Sequence, residues 1–236
     1  MDSQQAMTLC LDREVTSIRH SVTTGLMLLR KAKHIDDSFE PCLILLSIGF
    51  EKLLKLSLGL SVYAETREWV SNKELRDAGH HIDQLWEKQL GHIRKSAAMA
   101  TNPSYIETAL AELDTLVGLN GFITSLAEYA LNGRFYYQDV LSGQIPLEDS
   151  AQRKAPIRIW HHAEMKIIET SPELVRLCGH AGNNLEAQHE YSLAIRNQSA
   201  NEIEAAYELV RMAWAQNLYG LEGRRFATAL KFRHSA

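Results

Sequence analysis

Cysteine is scarce in this chain: Cys10, Cys42 and Cys178 are three in number and far apart. An odd, scattered set excludes a disulfide framework and a zinc-ligand spacing, and it fits a reducing cytoplasm. Long apolar runs are missing too. The longest, Cys42 to Phe50, is cut off by Glu51-Lys52 well short of the ~20 residues that a membrane helix needs. The polar start Met1-Asp2-Ser3-Gln4-Gln5 has no signal-peptide pattern, so neither secretion nor a membrane association is expected. Nor is positive charge in excess: Lys and Arg total 25 against 29 Asp and Glu, a net charge of -4. That excludes a broadly basic surface built to coat nucleic acid and leaves room only for a local basic cleft. No stretch alternates apolar and polar residues between turns, so no sheet is expected. Internal repeats and low-complexity tracts are absent. So are a glycine-rich phosphate loop, a Walker motif, a nucleophile elbow and a zinc-protease helix, which disfavours most familiar enzyme classes.

What is present is helical periodicity. Hydrophobic residues at 45% and charged residues at 23% are ordinary for a globular protein and can build one substantial core. Leu11, Val15, Ile18, Val22, Leu26 and Leu29 recur every three or four positions, the stripe of a first helix of about six turns. Ser38 before Phe39-Glu40-Pro41 reads as the cap of a second helix running to about Leu60, with proline in its first turn. That helix is apolar nearly all round and hence central. The short joint from Ala32 to Asp37 makes the two antiparallel neighbours. Residues 61 to 79 show no clear period and read as a loop. Ile82, Leu85, Trp86, Leu90 and Ile93 then resume helical spacing, and one stripe from Ile106 to Ala130 follows Asn102-Pro103 and stops at Asn132-Gly133. Arg134 to Pro156 reads as a long connection. Beyond it, helices are expected at Ile159 to Thr170, from Ser171-Pro172, and from a cap at Asn201 through Trp214 to Leu221. Trp86, Trp160 and Trp214 fit core positions.

The unusual feature is the charged notch in the second helix. Gly49-Phe50-Glu51-Lys52-Leu53-Leu54-Lys55 places three charges where burial needs partners or water. Taken with Gly79-His80-His81-Ile82-Asp83-Gln84-Leu85 and Asn132-Gly133-Arg134-Phe135-Tyr136-Tyr137-Gln138-Asp139, it resembles three ordered landmarks of HEPN domains. In the non-toxin branch that includes the sacsin C-terminal domain, an "EKxLKxxL" helix leads to "GHxLxxL" and then to an "RYPD"-like segment. Here Tyr136-Tyr137-Gln138 departs from the last of these. The resemblance, carried by about residues 8–140, implies an antiparallel up-and-down helical bundle; with the helices read beyond it, the expected chain is all-α, a bundle over residues 1–140 and a C-terminal helical extension over residues 141–236 packed on or completing the same domain. It also implies a homodimer and a cleft for nucleotide or RNA.

Three readings of function follow. The first is a non-catalytic or weakly catalytic nucleotide- or RNA-binding module. Lys52 and Lys55, three apart on one helical face, and Arg134 among aromatic rings would contact phosphate, with His81 near them. The bland alternative is that the lysines form the solvent stripe of a buried helix and that the aromatic cluster plugs the bundle's end. The second is a metal-independent endoribonuclease of a defence or toxin–antitoxin system, with an antitoxin partner. Many HEPN proteins carry an arginine and a histidine separated by four to six residues; histidine moves the 2′-hydroxyl proton and arginine stabilises phosphate charge. With ten histidines and roughly fifteen arginines, about two such pairs arise by chance; Arg13/His20 and Arg76/His81 are the two found. In the catalytic branch the pair lies on a late helix, yet the late match Arg196-Asn197-Gln198-Ser199-Ala200-Asn201 has asparagine in histidine's place, and asparagine exchanges no proton in this range. Arg76 and His81 remain the candidate catalytic pair. The third reading is a structural dimerisation module without ligand. His80-His81 with Asp83, and His161-His162 with Glu164, lack the i, i+4 spacing of helical zinc sites, so no metal or cofactor is expected.

Overall fold

The computed structural model describes residues 3–32, 35–133, 136–144 and 155–232. Among them are helices and short 3-10 turns and no strand, an all-α helical bundle. The helices are α1 (Ser3–Lys31), α2 (Ile35–Thr66), α3 (Asn72–Asp77), α4 (Ile82–Ser96), α5 (Pro103–Leu113), α6 (Leu119–Leu131), α7 (Tyr136–Leu141), α8 (Pro156–Thr170), α9 (Pro172–His180), α10 (Leu185–Ala215) and α11 (Gly220–Phe226). None among the described residues is long and apolar enough to cross a membrane.

The stripe of α1 is the inner wall: Leu11, Val15, Ile18, Val22, Leu26 and Leu29 are all buried. Against it runs α2, antiparallel. Gly25 faces Leu46, Val22 faces Gly49, and Glu14 faces Lys52 further along the pair. The two helices approach so closely at Gly49 that a Cβ there would stand 2.5 Å from Val22 Cγ2. α2 is central, as its composition predicts, with Phe50, Leu53, Leu54 and Leu60 buried among α1, α4, α6 and α11.

Several boundaries differ from the sequence reading. α2 begins at Ile35, so Ser38 lies inside the helix and is no cap. Pro41 lies on an exposed side of α2, where water can offset the intrahelical hydrogen bond it cannot donate. The helix also continues to Thr66 and stops at Arg67, whose φ of 63° and N–H to the Tyr63 carbonyl (3.0 Å) form a left-handed end. Within the expected loop, Ser71 and Glu74 make a reciprocal capping box that starts α3. The stripe from Ile106 to Ala130 is two helices. They part at residues 114–118, where the buried Glu202 carboxylate of α10 accepts the Gly118 N–H at 2.9 Å and serves the positive N-terminal end of α6. The connection after Arg134 contains α7, and α8 starts at Pro156, in the first-turn position that proline favours. α10 starts at Asn184, whose Oδ1 accepts the Glu186 N–H at 2.8 Å. Asn201 is therefore mid-helix, accepting instead from Arg30 Nη2 at 2.9 Å.

The helices after residue 155 share the core of the first six. Trp214 Nε1 donates to Ser57 Oγ at 2.9 Å, Tyr219 Oη to Gln89 Oε1 at 2.7 Å, and Ser125 Oγ to the Pro156 carbonyl at 2.8 Å. Trp86, Trp160 and Trp214 are fully buried.

Candidate functional site

The charged notch of α2 opens on a cavity of about 420 Å³ between α1, α2 and the segment carrying α3. Its body is apolar: Met7, Cys10 and Leu11 of α1, Leu56 of α2, then Trp69 and Leu75. The charged lining is Glu14, Lys52 and Lys55. Trp69 owes its place to Gly59, where a Cβ would come within 2.5 Å of the indole Cζ2. Only a residue with no side chain lets the ring lie on the helix. Tyr63 flanks it with ring centroids 6.3 Å apart.

Both lysines face carboxylates. Lys52 Nζ lies 3.1 Å from Glu14 Oε2 and donates to Ser17 Oγ at 3.1 Å. Lys55 donates to Glu51 Oε1 at 2.8 Å, one helical turn back. The other oxygen, Glu51 Oε2, is 2.9 Å from His80 Nδ1. Burial pushes the Glu51 carboxyl up, but hydrogen bonds from Lys55 and His80, and their charge, outweigh it and hold the group below its ordinary range. The notch is thus a small ionic network across three elements, consistent with the rule that partly buried charges are paired.

Of the residues singled out by sequence, Lys52 and Lys55 come together on this cavity. The histidine that reaches their network is His80; its neighbour His81 is half-buried at the N-terminal boundary of α4 and makes no side-chain cap. Arg76 is exposed on α3. No hydrogen bond or ion pair joins Arg76 to His81 among the described residues. Arg134 lies outside the described residues. On the late helix, Arg196 is buried, so its guanidinium is pushed below its ordinary range by burial while Glu164 acts the other way. The His161-His162 motif is organised by Glu164, which accepts Trp160 Nε1 at 2.9 Å and sits 3.1 Å from His161 Nδ1. No group of three His, Cys, Asp or Glu able to hold a metal occurs among the described residues. Cys42 is buried, which pushes its thiol up to about 11 and makes it a poor nucleophile.

The residues that sequence reasoning missed are Trp69, Leu75 and Glu14, while His80 figures there only as a landmark and a candidate metal ligand. The Ser71-x-x-Glu74 box was a readable signal for α3, and with it for Leu75 on a short helix. Glu14 left no local trace, because its partner lies on another helix.

A second cavity, about 320 Å³, lies between α2, α3 and α4 and is lined in part by Leu58, Val62, Val70, Asp77, Leu85 and Lys88.

Fold and site together define an all-helical protein with a ligand-sized, mainly apolar cleft that carries paired cations. No protein-family model, curated protein or solved structure matches the chain.

Proposed function

We propose that this chain is a HEPN-like, non-catalytic binding protein that takes a nucleotide in the cavity between α1, α2 and α3. The observation that carries the reading is the joint placement of Lys52 and Lys55 on a cavity with Trp69. Two ammonium groups suit a phosphate, an indole suits a base, and about 420 Å³ falls within the ~300–1,000 Å³ of small-molecule pockets. The homodimer belongs to the same HEPN-like reading.

The carboxylates shape the expected affinity. Glu14 and Glu51 already engage the two lysines, so an incoming phosphate competes with them and gains less than at free ammonium groups. At about −0.3 kcal/mol per non-hydrogen atom, a mononucleotide would bind with a Kd on the order of 10 µM. The same pairing weakens the case for a long RNA. Two neutralised lysines are too few for a basic track along which counterion release could build affinity.

The test is a titration of adenosine and guanosine monophosphates, and of a short oligoribonucleotide, against wild type, Lys55→Glu and Trp69→Phe. Trp69 is the cavity's own reporter, because Trp86, Trp160 and Trp214 are buried elsewhere. Saturable quenching of wild type, lost in Lys55→Glu, supports the reading. No calorimetric or fluorescence change up to millimolar nucleotide removes it.

A further inference from the structure

The segment from Arg67 to Gly79 is held unlike the rest of the bundle. Its helix, α3, contains no buried residue, and among the described residues no other helix packs closely on it. From Arg67 to Gly79 the single buried side chain is Val70. Cavities of about 420 Å³ and about 320 Å³ adjoin α3, one meeting Leu75 and the other Glu74 and Asp77. At both ends the backbone turns through the left-handed region, at Arg67 (φ 63°) and Gly79 (φ 54°). The flanking helices, in contrast, are anchored by Leu60 and Ile82 in the core. A short helix with few contacts below it, one exposed capping box to hold it and a sharp turn at each end can lift off and open locally while the bundle stays folded.

We infer that residues 67–79 form a hinged strap that opens and closes over the Lys52/Lys55 cavity, and that a bound anion closes it through Glu51. The motion stands on the packing alone; the coupling rests on the nucleotide reading above. Glu51 divides its carboxylate between Lys55, which lines the cavity, and His80, the first residue past the Gly79 turn. A phosphate that engages Lys55 draws the ammonium away from Glu51. The carboxylate is then left to His80 and pins the far end of the strap to α2. Trp69 and Leu75, both on the strap, complete the wall around the ligand.

Hydrogen exchange followed by mass spectrometry tests this, with adenosine monophosphate as the probe and Trp69 fluorescence reporting its binding. In the free protein, amides of Asn72 to Gly79 should exchange at least about 100-fold faster than those of Leu53 to Leu56 in α2, because the strap opens without global unfolding. Equal rates would overturn the strap whatever the ligand does. At 1 mM probe the strap amides should slow by about 10-fold or more. In Glu51→Gln the probe should still bind while this slowing is lost. Binding without any slowing in wild type would sink the coupling and leave the nucleotide reading standing. Fast exchange with no binding would sink the nucleotide reading and leave the strap.

Discussion

Glu51 and His80 are 29 residues apart in the chain and 2.9 Å apart in space. The contact ties the middle of the central helix α2 to the turn that precedes α4, and Lys55 completes it from one helical turn away. Burial opposes the charge on Glu51, yet its two partners keep the carboxyl below its ordinary value. A carboxyl depressed in the folded state contributes stability above its unfolded pKa, and that contribution disappears as pH falls through the folded value. Wild type should therefore lose stability below about pH 4.5, the ordinary value of the group, more steeply than Glu51→Gln does. Urea midpoints of the two proteins between pH 3 and pH 6 give the comparison; parallel curves would exclude this role.

The same substitution should alter binding in a direction that a merely structural role would not produce. In Glu51→Gln the new amide is uncharged and cannot neutralise Lys55, so the freed ammonium should bind phosphate more tightly, by about 3- to 10-fold in Kd at low salt, and less so at high salt. Glu14→Gln should act alike through Lys52. Calorimetric titration with adenosine monophosphate at two salt concentrations measures both. Weaker binding in both variants would mean that the carboxylates, and not the ammonium groups, face the ligand.

Glu202 predicts the opposite pH trend. Burial raises its carboxyl to about 7, against the lowering effect of the Gly118 and Leu119 backbone N–H groups that it accepts. A raised carboxyl means that the folded state holds a proton the unfolded chain has released, so stability falls as pH climbs from about 4.5 to about 7 and levels off above. The loss should amount to about 3 kcal/mol, and Glu202→Gln, whose amide oxygen still accepts from Gly118, should remove it. Melting temperatures of both proteins at pH 5 and pH 7.5 decide the matter: the wild type should drop between them and the variant should not.

How far the sequence discloses this molecule depends on the range of the forces involved. The α1 stripe and the core of α2 are legible because burial imposes a period on adjacent residues. The close approach of the two helices is a different kind of fact. Gly49 reads as a weak helix former until Val22 Cγ2 is found 2.5 Å from where its Cβ would be. The break between α5 and α6 could not be read, because the apolar stripe runs through it and the group that serves the new helix end, Glu202, comes from 84 residues away. The start of α10 was hidden for another reason: most of its first residues, Leu185 among them, are exposed and carry no stripe. At the cavity, Lys52 and Lys55 stood out as charges in an apolar helix, whereas their carboxylate and aromatic company depends on tertiary packing.

Gly49 supplies a packing prediction. Gly49→Val should gain helix propensity slightly and still destabilise by about 2–3 kcal/mol, because the added methyls overlap Val22 and force α1 away from α2. The urea midpoint should fall with an unchanged slope. Stability equal to wild type would show that the helix pair relaxes freely at this contact.

The buried pair of Tyr219 and Gln89 separates the value of a hydrogen bond from the cost of leaving one unmade. Tyr219 Oη donates to Gln89 Oε1 at 2.7 Å, and both side chains are buried. Burial also pushes the phenol well above its ordinary range, so the hydroxyl keeps its proton and remains a donor at any physiological pH. Tyr219→Phe keeps the ring against His92 and Trp214 but strands the Gln89 carbonyl oxygen without its donor, at a cost of about 1–3 kcal/mol. Gln89→Leu alone strands the hydroxyl in turn. The double variant Tyr219→Phe/Gln89→Leu removes both polar groups and should be less destabilised than the sum of the singles by about 1 kcal/mol or more. Urea unfolding of the four proteins closes the cycle. Strict additivity would show that water reaches the stranded groups, and that the contact between α4 and the turn after α10 is wetter than its burial indicates.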